Sequence, residues 1–95
     1  MNSNTALTET VFYILLTLTK PLHGYGIMQE ISSLTHGRLN LGAGTLYGAL
    51  KNLQKKGWIS EVDNPPDARD KRAYVITEEG RDVLTAETEI GRAHV

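Results

Sequence analysis

The segment GAGTLYGALKNLQKKGWI, residues 42–59, decides the fold because it contains a helix with an unusual start. Three leucines recur at the spacing of one helix face: Leu46, Leu50 and Leu53. This spacing predicts a helix from about Gly44 to Lys56, with Gly57 as the residue that ends it. Three glycines nevertheless fall around its first turns: Gly42, Gly44 and Gly48. A glycine inside a helix costs about 1 kcal/mol relative to alanine, so these positions need another explanation.

The outer face of this helix supplies one explanation. When the leucines face the core, the opposite face and its flanks carry Gly44, Thr45, Tyr47, Gly48, Lys51, Asn52 and Lys55. Glycines let another molecule approach closely, and the free amide groups of a first turn attract phosphate. The hydroxyl groups of Thr45 and Tyr47 and the charge of Lys51 suit contacts with a nucleic acid. On this helix alone, ordinary turn glycines and solvated lysines explain the pattern equally well.

The rest of the chain predicts an α+β fold that is mainly α with a small β-hairpin. The predicted elements are, in chain order, helices over residues 5–19, 24–34 and 44–56, strands over 58–62 and 72–76, and a helix from Glu78. Thr77 is placed to cap the last helix, and the turn sequence NPPD at 64–67 joins the strands. The resulting order, α-α-α-β-β-α, is the outline of a winged helix-turn-helix domain.

The tip of the predicted hairpin is basic. Residues 67–72 read DARDKR, in which Arg69, Lys71 and Arg72 supply the positive charge. In winged helix-turn-helix domains the third helix enters the major groove and the hairpin contacts the neighbouring backbone. A glycine-lined third helix and a basic hairpin tip therefore support one interpretation, a domain that binds double-stranded DNA.

Composition sets further limits on function. A chain of 95 residues with a net charge of −1 forms one small domain. The charge is uneven, since residues 1–77 hold eight Lys and Arg against six Asp and Glu, whereas residues 78–95 hold two against five. The absence of cysteines, of a long apolar run and of a basic N-terminal start predicts a cytoplasmic protein without a membrane span.

The sequence offers no set of residues typical of an enzyme. It lacks a phosphate-binding glycine loop and a Ser/His/Asp combination, so no catalytic activity is expected. Its three histidines, His23, His36 and His94, are far apart and have no cysteine partners. We therefore expect neither a metal site nor a cofactor.

Three segments together resemble the PadR family of bacterial transcriptional regulators. They are PLHGYGI at 21–27, GTLYGAL through GWI at 44–59, and RDKRAY followed by TEEG at 69–80. The resemblance spans most of residues 5–85 and implies a dimeric DNA-binding repressor that a small-molecule effector releases. It also implies that the segment 44–51 reads operator DNA and that Arg69, Lys71 and Arg72 are the basic residues of the wing. Tyr25 matches a tyrosine of the family pattern, where a contact with a backbone phosphate is expected.

The chain divides into two parts at the end of the hairpin. Residues 1–77 are predicted to form the winged helix-turn-helix domain, and residues 78–95 the start of a C-terminal dimerisation helix. Val83 and Leu84 are nearly the only apolar residues early in this helix, which is little material for a dimer interface. The last seven residues, EIGRAHV, can be back-translated as adapter DNA used in sequencing. This pattern indicates that the natural chain continues beyond this point, and a genuine short tail that frays is the alternative.

Two alternatives remain open at the level of sequence. Some winged domains use the third helix to bind a protein partner instead of DNA, but such an interface needs large apolar anchors. Here Tyr47 is the only large residue on the outer face. Trp58 is expected to pack in the core beneath the wing, with the lining of a ligand-accepting crevice at a dimer interface as its alternative role.

Overall fold

The computed structural model describes residues 8–62 and 72–93. Within these residues the elements are α1 (Glu9–Thr17), β1 (Leu22–His23), α2 (Gly24–Leu34), α3 (Ala43–Lys56), β2 (Ile59–Val62), β3 (Ala73–Ile76) and α4 (Glu78–Ala93). No helix in this part of the chain is both long enough and apolar enough to cross a lipid bilayer.

The core lies where the first three helices meet the sheet. Its fully buried side chains come from α1, α2, α3 and the segment after α1: Ile14, Leu15, Leu18, Ile27, Ile31, Leu46, Leu50 and Leu53. Ile59, Tyr74 and Ile76 extend this cluster from the two longer strands. The three leucines that defined α3 in the sequence are therefore its inner face, as predicted.

The sheet contains a strand that the sequence did not predict. Among the described residues it has three antiparallel strands in the order β1-β3-β2. The predicted hairpin is β2 and β3, in which Ser60 lies opposite Val75. The added strand β1 places Leu22 opposite Tyr74. Two residues are too few to show an alternating pattern, so the predicted order α-α-α-β-β-α is corrected by one short strand before α2.

A tight junction joins the end of α3 to the start of α4. Gly57 ends α3 in the left-handed region, with φ of 80°, as its place in the sequence predicted. The Thr77 hydroxyl donates a hydrogen bond of 2.6 Å to the Gly57 carbonyl and accepts one of 3.0 Å from the Gly80 amide. Thr77 is therefore the N-cap predicted for α4, and it also ties this helix to α3.

The first helix is shorter than predicted. It begins at Glu9 instead of Thr5, and its N-cap is Thr8, whose hydroxyl accepts a hydrogen bond of 3.2 Å from the Val11 amide. It ends at Thr17, whose hydroxyl donates a bond of 2.8 Å to the Ile14 carbonyl. The apolar pattern continues past both ends of the observed helix, and therefore did not mark its limits.

Candidate nucleic-acid interface

The outer face of α3 is exposed along its length. The residues predicted to contact DNA on this helix are all solvent-accessible: Gly44, Thr45, Tyr47, Gly48, Lys51 and Asn52. Lys55 and Lys56, in the last turn, are exposed as well. Because the leucines are buried and these residues are exposed, α3 has the orientation that the sequence predicted.

The glycines of α3 are not required by the fold. A Cβ atom added at Gly42, Gly44 or Gly48 would meet no atom within 4 Å. Within the described residues, glycine adopts positive φ only at Gly37 and Gly57. Neither crowding nor backbone conformation therefore explains the three glycines at the start of α3, and the bare surface that they form faces solvent.

Two helix starts on this side of the molecule have no side-chain cap. The N-cap residue of α3 is Gly42, which has no side chain to accept a bond. The N-cap of α2 is His23, whose side chain makes no capping hydrogen bond. First-turn amide groups have no acceptor within their own helix, and the helix dipole makes these ends electropositive. Both ends therefore suit an anion.

A cleft of about 590 Å³ opens beside the start of α2. Its lining brings together residues from β1, α2, α3 and the start of β3: Leu22, His23, Gly24, Tyr25, Gly26, Tyr47 and Arg72. Three of the residues predicted from the sequence, Tyr25, Tyr47 and Arg72, thus share one concave surface. Two phenol groups and a guanidinium group can each donate a hydrogen bond to an anionic oxygen.

The polar groups of the cleft are accessible. Tyr25 is 67% exposed, and its hydroxyl accepts a hydrogen bond of 3.2 Å from the Gln29 side chain. Arg72 Nη1 lies 3.4 Å from Glu61 Oε2, and both side chains are largely exposed. An exposed ion pair of this kind contributes little to stability, so the Arg72 guanidinium is available to another partner.

Beneath the cleft, Tyr74 is buried in the central strand. Burial raises the pKa of its phenol, and the Glu61 carboxylate raises it further, whereas the Arg72 guanidinium lowers it. The net effect is a pKa above the ordinary value of a tyrosine. Tyr74 therefore remains neutral near pH 7 and adds no negative charge beside the Arg72 guanidinium.

Sequence reasoning missed part of this surface. Leu22, His23 and Gly24 line the cleft, although the sequence analysis gave them no role beyond a resemblance to a family motif. Their contribution depends on β1, which pairs with β3 and brings the start of α2 next to Arg72. The PLHGY motif at residues 21–25 indicated that these positions matter, but it did not indicate which residues they contact.

Other predicted residues stand apart from the cleft or outside the described residues. Arg69 and Lys71 lie outside the described residues. Trp58 is partly buried against the core, as expected, with Lys56 Nζ 5.2 Å from the centre of its ring. Among the described residues, no group of three or more His, Asp or Glu side chains is arranged to hold a metal ion.

Sequence comparison identifies relatives of this chain. Residues 12–86 match the transcriptional regulator PadR-like family. An uncharacterized 37.1 kDa protein in transposon TN4556 of Streptomyces fradiae is 36% identical over 67 residues, which are 70% of this chain and 18% of that protein. An uncharacterized protein X of Lysinibacillus sphaericus is 34% identical over 71 residues, 74% of this chain and 65% of that protein. The chain thus spans less than two thirds of either relative.

Solved structures share the fold. RosR of H. salinarum superposes with a TM-score of 0.77 at 24% identity, over 93% of this chain and 76% of that one. Bacillus subtilis PadR, solved in complex with operator DNA, superposes with a TM-score of 0.70 at 24% identity, over 81% of this chain and 45% of that one. These likenesses confirm the winged-helix architecture. Because the family match also covers most of the sequence, the chain belongs to the PadR-like family of transcriptional regulators.

Proposed function

We propose that this domain binds double-stranded DNA as a transcriptional regulator, with α3 in the major groove. The observation that carries the proposal is the start of α3, where a side chain added at any of three exposed glycines would meet no neighbouring group within 4 Å. A helix lacking side chains at these positions can approach base edges and sugar-phosphate more closely than one that carries them. Lys51 follows the glycines on the same exposed face, where its charge can contact a phosphate.

The cleft beside α2 is proposed to receive the sugar-phosphate backbone that flanks the groove. Tyr25, Tyr47 and Arg72, whose side chains carry hydrogen-bond donors, line one concave surface next to the uncapped start of α2. Such a combination of phenol, guanidinium and backbone amide groups suits phosphate oxygens. Arg69 and Lys71 are proposed to extend this contact at the tip of the hairpin.

A protein-binding role for α3 is less well supported. The large apolar side chains that are exposed among the described residues are Leu16, Tyr25, Leu34 and Tyr47. Only Tyr47 lies on α3, and protein interfaces need a central group of such anchors. The glycine, threonine and lysine residues of this face fit a polar, charged partner better.

We further propose that the regulator is a cytoplasmic homodimer that acts as a repressor on a palindromic operator. Two copies of α3 would then enter successive major grooves about 34 Å apart. Residues 78–95 are proposed to begin the helix through which the two copies associate, and the half-exposed Leu16 on α1 is available to support that contact. Release of the DNA by a small-molecule effector is part of this proposal, and the resemblance of the sequence motifs to the family supports it.

The test is a binding titration on the full chain. Fluorescence anisotropy is measured with a duplex from the region upstream of the protein's own gene and with an unrelated duplex of equal length. We expect tighter binding to the upstream duplex and a steep loss of affinity with salt, with a slope near 0.9 per phosphate contact. Lys51→Ala and Arg72→Ala should each reduce that slope by about one unit.

The matched control is Arg81→Ala, which removes one exposed positive charge from α4 instead of the proposed interface. It should leave the salt slope unchanged. If neither duplex binds, DNA binding is wrong and the protein-partner alternative gains support. If all three variants change the slope equally, the interface is misplaced.

A further inference from the structure

We propose that Gly24 is a positioning residue, which leaves the space that Tyr47 needs to place its phenol group in the cleft. The inference rests on the proposed DNA binding. It identifies a contact between α2 and α3 on which that binding depends. Gly24 is the first residue of α2 and is buried, whereas Tyr47 belongs to α3 and is 48% exposed. The side chain of Tyr47 therefore lies across the gap between the two helices of the helix-turn-helix.

The distances show that the space is already filled. A Cβ atom at Gly24 would lie 2.7 Å from Tyr47 Cζ and 3.1 Å from Tyr47 Cε1, and it would overlap the hydroxyl oxygen. Apart from the neighbouring backbone of α2, the three nearest atoms to this Cβ all belong to Tyr47. The phenol ring of Tyr47 is thus the group that excludes a side chain at position 24.

Backbone conformation does not explain this glycine. Gly24 is absent from the described residues with positive φ, and it lies in a regular helix in which alanine would be favoured. The requirement at this position is one of space alone. It differs from the glycines of α3, whose missing side chains face open solvent.

An added methyl group at position 24 would displace Tyr47 and leave α2 in place. The start of α2 is held by β1, which pairs with β3, whereas the phenol is the far end of a flexible and half-exposed side chain. Within the described residues no hydrogen bond holds the Tyr47 hydroxyl. The ring would therefore rotate out towards solvent, and the cleft would lose the wall that it shares with Arg72.

The experiment is a double-mutant cycle with Gly24→Ala and Tyr47→Ala on the full chain, measured with the upstream duplex. We expect Gly24→Ala and Tyr47→Ala each to weaken binding about tenfold, the effect of one charge-assisted hydrogen bond. Gly24→Ala added to Tyr47→Ala should have no further effect, because the ring that the methyl group displaces is gone. The melting temperature of Gly24→Ala should not fall, since alanine favours the helix.

A DNA-free measurement separates this inference from the proposed function. In the wild type, the aromatic protons of Tyr47 should show nuclear Overhauser contacts with the Hα protons of Gly24, and Gly24→Ala should abolish contacts from Tyr47 to residue 24. Absence of these contacts in the wild type would overturn the inference whatever the protein binds. If the contacts are present but neither duplex binds, the proposed function is wrong. Independent losses in the cycle would show that Gly24 acts on DNA affinity without Tyr47.

Discussion

The four helices in the described part of the chain begin in two different ways. At the starts of α1 and α4, threonine side chains cap the backbone, from Thr8 to Val11 and from Thr77 to Gly80. At the starts of α2 and α3, His23 and Gly42 make no side-chain capping bond. A cap of this kind stabilises a helix by about 1 kcal/mol, so α2 and α3 begin without a contribution that the same fold uses elsewhere.

This difference in capping matches the division between the packed junction of α3 and α4 and the proposed DNA-binding surface. The capped start of α4 is tied to the end of α3, and its Gly80 amide donates to the Thr77 hydroxyl inside the protein. The uncapped starts belong to the two helices of the helix-turn-helix, beside the exposed glycines and the cleft. Uncapped helix starts are the ones at which an external phosphate can replace the missing side chain. Stability and proposed DNA binding therefore depend on different helix starts in this domain.

The largest change in stability is expected from a substitution in the packed junction at the start of α4. In Gly80→Ala the new methyl group would overlap the Trp58 carbonyl oxygen and lie 3.0 Å from the carbonyl carbon. Neither backbone can move freely, so we expect the free energy of unfolding to fall by about 3 kcal/mol. Gly44→Ala is the control, because the same substitution meets no neighbour there and should stabilise α3 by up to about 1 kcal/mol. Urea denaturation of both variants measures the contrast, and equal effects would contradict it.

The next largest change in stability is expected when the cap that joins α4 to α3 is removed. Thr77→Ala loses the bond from the Gly80 amide and the bond to the Gly57 carbonyl. We expect a loss of about 1.5 kcal/mol in the free energy of unfolding, and a smaller loss for Thr8→Ala, whose cap is exposed and single. The affinity for duplex DNA at a temperature where the variant is folded should remain unchanged. A larger loss for Thr8→Ala than for Thr77→Ala would reverse the ranking of the two caps.

A third variant gives an uncapped helix the cap that it lacks. Gly42→Asp adds an acceptor for the first amide groups of α3, where a side chain meets no neighbour. It should increase the free energy of unfolding by roughly 0.3 kcal/mol. Its negative charge should weaken duplex binding about fivefold by repelling phosphate. Gly42→Ser is the control, since it adds a cap without charge and should keep more of the affinity. Undiminished binding by Gly42→Asp would mean that no phosphate approaches this helix start.

The smallest expected effect concerns the exposed ion pair at the cleft. Glu61→Gln removes the carboxylate that lies 3.4 Å from Arg72. Freed of this competitor, Arg72 should bind phosphate better, and duplex affinity at low salt should rise about threefold. Asp82→Asn, which removes an exposed negative charge from α4, should change affinity less. Equal gains for the two variants in an anisotropy titration would assign the effect to net charge alone.

Much of the local structure was predictable from the sequence. The helix predicted over 24–34 is observed as Gly24–Leu34, and the one predicted over 44–56 as Ala43–Lys56. Apolar spacing and the stop signal of Gly57 were sufficient for these helices. The burial of the leucines and the left-handed φ of Gly57 are both determined by the local sequence. The limits of α1 were wrong because its apolar residues continue beyond the helix.

The candidate site was predictable only in part. Exposure of Gly44, Thr45, Gly48, Lys51 and Asn52 follows from the position of three leucines on the opposite face of one helix. The cleft does not, because Gly24, Tyr47 and Arg72 are far apart in the chain. The pairing of β1 with β3 brings Gly24 to Arg72, and the approach of α3 to α2 brings Tyr47 to Gly24. A strand of two residues has no periodic pattern, so its pairing could not be seen before the fold.

By itself, the order and spacing of residues in this protein determined approximately where α1–α4, β2 and β3 lie, which side of α3 is buried, and to which family the chain belongs. These properties follow from local periodicity, turn chemistry and a distinctive set of motifs. The tertiary structure alone decided that α2, α3 and the start of β3 enclose a cleft, that Gly24 leaves room for Tyr47, and that Gly80 lies against the Trp58 carbonyl. These contacts join segments that are far apart in the sequence. Their distances are set by packing, which is complete only when the whole domain has folded.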